Sequence, residues 1–431
     1  MHSNSPAATG RDGRQRTPRL MFWGALTGMV LIALNLRGPI VAPAPILGIL
    51  QDQLGMSVQT SGLLTALPIA CFGVVSFLAL PLLRRGGPDQ AIALCLAGIL
   101  FGTLLRSSGG TGLALAGTVV IGASIAVGNV LVPVIIRRDF APARVPLVTG
   151  VYTAAMNIGS MITLILTAPL AEAVGWRTAM VVWSALALAA ALAWLSLVGW
   201  RVFLLGTQKE DPPGGTGSTG EAGGPAGTEP DAPPQDTQRS AWRTPQAWVM
   251  LIAFSGQAFS FYAVSTWLPT MLTDLLGLDT AGAGAGSSLF QGPAIVGALA
   301  VPLLSRRLRI RTLLWLTCAA WAALPAGLLL APAAWPVWVT LGGVAQGAGI
   351  TVLLLILVRM GGSGRQAGQL SAMVQGGGYL VAATGPVVLG TLHSASGSWI
   401  LPLAVVGISI AALFFAGSAA AKVSDGARRP A

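Results

Sequence analysis

Charge is what this chain has least of. Charged residues make up 9% of its 431 positions, against about 25% in a soluble domain. Two histidines and fourteen carboxylates are scattered along its length, with none of the clustering that a membrane-face enzyme needs. Its three cysteines, Cys71, Cys95 and Cys318, fall in apolar stretches without Cys-x-x-Cys spacing. That excludes a disulfide framework and a structural zinc. The glycine-rich GAGAGS at 282–287 follows no strand and lacks the lysine of a phosphate loop. Neither a metal nor a cofactor is expected.

Apolar residues are abundant: 54% of the chain, with a mean hydropathy of +0.73. A spanning helix needs about 20 mostly apolar residues, and lipid requires each backbone polar group to be satisfied within the fold. The apolar runs show no alternation of period two, so they read as helices. Twelve spans are expected: 20–49, 59–82, 90–105, 112–136, 147–170, 178–200, 246–270, 286–304, 312–331, 336–358, 369–392 and 398–421. The start, RQRTPRLMFWGALTGMVLIAL, has the order of a signal peptide. Its apolar run is too long, contains Arg37 and leads into further spans, so it reads as span 1.

The net charge of +11 comes from residues in short loops, the pattern of a topology signal and not of a nucleic-acid surface. With the N-terminus inside, 22 of the 25 Lys and Arg lie on the cytoplasmic side; the other three are Arg37, Arg106 and Arg177. A plasma-membrane protein with both ends cytoplasmic is expected. The segment DPPGGTGSTGEAGGPAGTEPDAPPQDTQ (211–238) has no large apolar residue and reads as a disordered linker. The chain then divides into a tail (1–19), a six-helix bundle (20–200), the linker (201–245), a second six-helix bundle (246–421) and a tail (422–431).

The two halves repeat each other. A Leu-Gly pair precedes a basic pair by 29 residues in each, Gly55 to Arg84 and Gly277 to Arg306. Both copies carry a mid-span proline, Pro68 or Pro293, and end in Pro-Leu-Leu. RRDFAPARVPLVTG joins spans 4 and 5 as RMGGSGRQAGQLSA joins spans 10 and 11. Both copies run the same way through the membrane, a parallel repeat of two six-helix halves. The fold class expected is an all-α membrane protein of twelve helices in two pseudo-symmetric halves.

Polar side chains are costly in lipid and mark cavities or helix contacts. The interior amides Asn35, Asn129, Asn157, Gln257, Gln291, Gln346 and Gln375 fall in spans 1, 4, 5, 7, 8, 10 and 11. Tyr152, Tyr262 and Tyr379 sit in spans 5, 7 and 11. Spans 3, 6, 9 and 12 carry no such amide, and their Trp183, Trp194, Trp315 and Trp321 read as lipid-facing or interfacial. Every third helix is therefore expected outside, with the others lining a cleft. Any single amide could instead be a contact between helices.

Arg37 stands in span 1, about 25 Å along the helix from Leu20 at 1.5 Å per residue. A guanidinium stays protonated, and at the bilayer centre it costs about 2.5–3.5 kcal/mol. No Asp or Glu lies mid-membrane. Pro39 leaves the Asn35 carbonyl without its helical donor. One reading is a structural arginine reaching for the interface; the other, adopted here, is an anion-binding arginine. Glu172 and Arg177, near the outer end of span 5, are expected to form a structural ion pair, with Glu172 the one candidate for proton coupling.

LNLRGPIVAPAPIL followed by GLLTALPIACFG resembles the first two helices of the cyanate/2-nitroimidazole transporter family of the major facilitator superfamily. The resemblance continues through GNVLVPVIIRRDF, PLVTGVYTAAMNIGS, PQAWVMLIAFSGQAFSFYAVSTWLPTML and AGQLSAMVQGGGYLVAATGP. The family's Asn-x-Arg-Pro is here Asn35-Leu36-Arg37-Gly38-Pro39. LLRRGGPDQAI is a degenerate form of the superfamily's loop motif that keeps Arg84, Arg85 and Asp89 as gating candidates. The resemblance implies a transporter of small anionic or weakly acidic solutes that uses no ATP-binding domain. Arg37 would supply the charge, and Asn35, Tyr152, Asn157, Gln257, Tyr262, Gln346 and Tyr379 are candidates to complete the pocket. The expected partners are that solute, the bilayer and protons, in a monomer with no nucleic acid. The alternative is efflux of uncharged drug-like or nitroheteroaromatic compounds, with Arg37 structural.

The orientation is checked by labelling cysteines placed singly in a chain whose native cysteines are serine. A cysteine at Ser108 should react with an impermeant maleimide on intact cells. One at Ser218 should react only after permeabilisation.

Overall fold

The computed structural model describes residues 19–141, 143–199, 244–360 and 365–426. The expected tails, the linker and the side chains of Arg84 and Arg85 fall wholly or largely outside those residues. Among the described residues, twelve helical stretches are long and apolar enough to cross a membrane, and no strand occurs.

Span 1 is broken into Arg19–Asn35, Gly38–Val41, a 3-10 turn at Ala44–Ile46, and Leu47–Leu54. Spans 2 and 3 are one helical run, Val58–Ser107. It cannot be straight: Gly122 of span 4 abuts Pro68, and Ser124 abuts Gly98. A straight helix would hold Pro68 and Gly98 about 45 Å apart, so the chain doubles back between them. Spans 4 to 7 are Thr111–Asp139, Val145–Val174, Trp176–Val198 and Pro245–Leu276. Span 8 is split into Thr280–Gln291 and Pro293–Leu304, and span 11 into Arg365–Ala382 and Thr384–Ser396. Spans 9, 10 and 12 are Ile310–Leu330, Trp335–Met360 and Ile400–Gly426. Pro293 and Pro386, which lack an N–H, account for the breaks in spans 8 and 11.

The sequence repeat is also a repeat of turn geometry. Gly55 (φ 61°) and Gly277 (φ 68°) both end a helix in the left-handed region, which glycine enters without steric cost. Two residues further, Ser57 and Asp279 each cap the next helix by accepting from the N–H three residues on, at 3.2 and 3.0 Å. Gly175 and Gly397 are a second pair with positive φ, 80° and 64°, though their ψ values differ, 151° and 15°. Both pairs are 222 residues apart, the spacing of the two halves.

The halves meet on the side away from the basic loops. There Thr65 and Thr266, both buried, share a hydrogen bond of 2.9 Å between spans 2 and 7. Gly62 lies against the Pro386 carbonyl, and Gly284 against the Leu164 carbonyl and Pro45. Leu64, Ile69, Ala168 and Trp176 of the first half join the apolar core of the second. Large apolar side chains such as Leu94, Phe101, Val296 and Ile408 face outward, where lipid is their solvent.

Two expectations fail in detail. Trp194 and Trp321 are buried, at 2% and 0% exposure. Trp321 stacks on Phe290 and donates to Ser260 Oγ at 2.8 Å, so it packs the second half together instead of facing lipid. Glu172 and Arg177 do not pair: the Arg177 guanidinium lies 4.5 Å from the Trp176 ring centroid, and Glu172 is exposed.

Span 10 crosses span 8 so closely that a Cβ on Gly347 would overlap the Ala294 carbonyl oxygen. Gly347→Ala should cost about 1–3 kcal/mol and lower the thermal midpoint in detergent. Gly407→Ala, which meets nothing within 4 Å, should leave it unchanged.

Candidate functional site

Two cavities lie between the halves on the basic-loop side. One, of about 380 Å³, is lined by spans 1, 2, 4, 5, 7, 10 and 11. The other, of about 360 Å³, is lined by spans 1, 5, 8 and 10. No lining residue comes from spans 3, 6, 9 or 12, as the distribution of amides implied. Arg37, Met156 and Leu354 line both cavities, so the arginine stands at their junction.

Arg37 reaches that junction because span 1 is interrupted beneath it. It sits at the start of Gly38–Val41 with φ −133° and ψ −36°, outside the helix of Arg19–Asn35. Its Nη1 donates to Asn157 Oδ1 of span 5 at 2.8 Å. Its guanidinium carbon stands 5.0 Å from the Phe261 ring centroid of span 7. A hydrogen bond from a charged donor contributes about 1.5–3 kcal/mol and a cation–π contact about 0.5–2. Together these match the insertion cost of about 2.5–3.5 kcal/mol. The charge itself stays uncompensated. Among the described residues Arg138 pairs with Asp89 and Asp139, and His393 with Asp274; no carboxylate lies within ion-pair distance of Arg37. A guanidinium has five donors, and Asn157 accepts one.

The two chambers differ chemically. The first is aromatic. Tyr379 meets Phe72, Phe254 and Tyr262 edge-on at 5.4–6.4 Å between centroids, and Tyr262 meets Phe261 at 4.7 Å. Tyr152 donates to Asn129 Oδ1 at a long 3.4 Å, and Gln375 to Ser371 Oγ at 2.6 Å. The second chamber presents Thr149, Thr153 and Asn157 along one face of span 5, opposite Gln346 and Thr351 of span 10. Each of those threonines already donates to the carbonyl four residues back, so its oxygen is left as an acceptor. Arg37 is the cation of both chambers.

Six of the eight pocket candidates thus line a cavity: Arg37, Tyr152, Tyr262 and Tyr379 the first, and Arg37, Asn157 and Gln346 the second. Asn35 and Gln257 line neither. Asn35 Nδ2 donates to the carbonyls of Leu31 and Leu186, at 2.8 and 3.1 Å, joining span 1 to span 6. Gln257 is buried against span 10 and donates to the Gln346 carbonyl. Nothing in the sequence marks Phe72, Phe261, Met156 and Leu354 as cavity residues, because an apolar residue in an apolar span carries no sign of its direction.

Asp89 makes a bidentate pair with Arg138 at the end of span 4, at 2.7 and 2.8 Å. That clamp lies within the first half. Glu172 lines neither cavity. No group of three or more His, Cys, Asp or Glu able to hold a metal occurs among the described residues.

Comparison with known proteins agrees with this architecture. A family model described as Major Facilitator Superfamily matches residues 25–360. The uncharacterized transporter YycB of Bacillus subtilis (strain 168) is 32% identical over 408 residues, 92% of each chain. The 2-nitroimidazole transporter of Escherichia coli (strain K12) is 32% identical over 396 residues, 91% of this chain and 93% of its own. The cyanate transport protein CynX of the same strain is 27% identical over 399 residues, 90% and 96%. A solved structure of a bacterial homolog to the human lysosomal transporter Spinster, inward-facing and unoccupied, aligns over 95% of both chains with TM-score 0.64 at 15% identity. That last likeness is one of fold.

Of the pocket candidates, the two amides outside the cavities, Asn35 and Gln257, should behave as structural residues. Asn35→Leu removes the donor to the Leu31 and Leu186 carbonyls and should cost about 1–3 kcal/mol in thermal unfolding. Tyr379→Phe, which removes only a cavity hydroxyl, should stay within about 0.5 kcal/mol.

Proposed function

The chain belongs to the Major Facilitator Superfamily, and from that premise we propose that it carries a small anionic or weakly acidic solute by alternating access. It is a multi-pass membrane transporter and not an enzyme. Its substrate charge is met by Arg37, and the observation that carries this reading is the uncompensated guanidinium at the junction of two cavities between the halves. A charge with no protein counter-ion is neutralised when an anion arrives. Asn157 holds Arg37 in place, and the hydroxyls of Tyr262 and Tyr379 are the further donors of the aromatic chamber.

In this reading the basic-loop side is the cytoplasm of a plasma-membrane protein. The cavities then face inward, and the contacts at Thr65–Thr266, Gly62–Pro386 and Gly284–Leu164 form the outer seal. The halves rock about Arg37, and one solute is bound at a time by a monomer. Glu172 lies away from both cavities, so a proton travels most simply on a weakly acidic substrate.

The aromatic lining favours a second reading. Edge-on rings around a chamber of about 380 Å³ also suit an uncharged planar heteroaromatic molecule. The two curated relatives with named substrates, cyanate and 2-nitroimidazole, bracket that choice.

A thermal-shift screen of purified protein separates the readings. Cyanate, nitrate and formate are compared with 2-nitroimidazole, on wild type and on Arg37→Gln. The first reading expects an anion to raise the wild-type midpoint and to lose that effect in Arg37→Gln. Equal stabilisation of both proteins by the best ligand would overturn it.

A further inference from the structure

Span 1 carries three prolines within seven residues: Pro39, Pro43 and Pro45. Each helical N–H normally bonds the carbonyl four residues back, and proline has none to give. The carbonyls of Asn35, Pro39 and Val41 therefore lose their helical donors. The Pro39 carbonyl finds a substitute in another span. Arg106 Nη1, near the end of span 3, donates to it at 2.7 Å.

Arg106 is 3% exposed. Its Nη2 reaches Met180 Sδ of span 6 at 3.6 Å, and its Nε has no partner. Among the described residues no carboxylate lies within ion-pair distance of it. A protonated guanidinium buried without a counter-charge is costly; packing alone would be served better by leucine. What Arg106 supplies is a hydrogen bond that the sequence of span 1 withholds from itself.

The carbonyl it holds belongs to the turn that presents Arg37. The N–H groups of Ile40 and Val41 both bond the Arg37 carbonyl, at 3.1 and 3.3 Å, so Pro39 and Arg37 share one short rigid unit. Span 5 closes on that unit from another direction. A Cβ on Gly38 would stand 2.8 Å from Thr163 Oγ1, and one on Gly159 would stand 2.5 Å from the Leu34 carbonyl oxygen.

We propose that Arg106 is a positioning residue for transport. It replaces the donor missing at Pro43, pins the break in span 1 to spans 3 and 6, and so fixes the Arg37 guanidinium at the junction of the cavities. This rests on the reading of Arg37 as the substrate-binding cation. Spans 3 and 6 line neither cavity, so the pin ties Arg37 to the part of the first half that the substrate does not touch. Arg37 then moves with that half as a body.

The test is a double-mutant cycle. Pro43 has φ −67° and ψ −28°, a helical conformation that alanine adopts freely, and Pro43→Ala restores an N–H facing the Pro39 carbonyl. Hydrogen–deuterium exchange of peptides spanning 36–42 and the thermal midpoint are read for wild type, Arg106→Gln, Pro43→Ala and the double variant. Arg106→Gln should raise exchange across the break about tenfold, the equivalent of one charge-assisted hydrogen bond, and lower the midpoint. Arg106→Lys, which keeps the charge and one donor, should fall between. Adding Pro43→Ala to Arg106→Gln should reverse most of both effects and restore any stabilisation by cyanate that Arg106→Gln abolished. Unchanged exchange in Arg106→Gln, or the same loss in the Pro43→Ala background, would overturn the proposal. If cyanate and nitrate stabilise none of the four proteins while the cycle behaves as expected, the pin stands and the anion reading of Arg37 fails.

Discussion

A guanidinium cannot shed its proton in a protein, and lipid cannot solvate it. The structure around Arg37 answers that constraint. Span 1 gives up helical continuity so that the side chain can leave its own helix. Span 5 contributes an amide oxygen at 2.8 Å and span 7 an aromatic face at 5.0 Å. These contacts are enough to tolerate the cation, and neither removes its charge. What remains is an attraction for an anion, placed where the two halves of the molecule face each other. Contacts to Arg37 come from both halves, Asn157 from one and Phe261 from the other, so a ligand bound there is felt by both.

The same logic separates the two ends of the interface. Away from the basic loops the halves touch through one hydroxyl pair, Thr65 and Thr266, through Gly62 and Gly284, which bring helices within backbone distance, and through apolar side chains such as Leu64, Ile69 and Trp176. On the basic-loop side they are parted by cavities. The polar part of the contact between the halves, a single buried hydrogen bond, is modest in energy. In the alternating-access reading proposed above, this is the surface that separates. The firmer ties, the bidentate Asp89–Arg138 pair among them, lie within a half. The split helices 8 and 11 bring backbone breaks to the same interface.

Much of this is readable from the chain alone, because hydropathy and charge are local properties. Twelve spans, the two halves and the outer placement of spans 3, 6, 9 and 12 follow from run length, loop charge and the distribution of amides. The direction of an individual side chain does not. The helix breaks after Asn35, so Asn35 faces span 6 while Arg37, two positions on, reaches spans 5 and 7. Gln257 and Gln346 look equivalent in sequence, yet one is packed between helices and the other lines a chamber. Phe72 and Phe261 resemble any lipid-facing phenylalanine. Arg106 looks like a residue reaching for the interface; its partner becomes visible only when span 3 is set beside a proline-broken span 1. The buried Trp194 and Trp321 fail for a similar reason. Trp321, whose indole finds an acceptor in Ser260 Oγ, reads in sequence like an indole at the membrane surface, and so does Trp194, buried with no acceptor for its Nε1.

The central claim is that the substrate's counter-charge is Arg37. Its most direct test is a crystal structure grown with selenocyanate, whose selenium is located by anomalous scattering. The account predicts a peak at the junction of the two cavities, with the anion in hydrogen-bonding distance of the Arg37 guanidinium. An anion bound between the halves but out of reach of Arg37, with the arginine still on Asn157 and Phe261 alone, would contradict it.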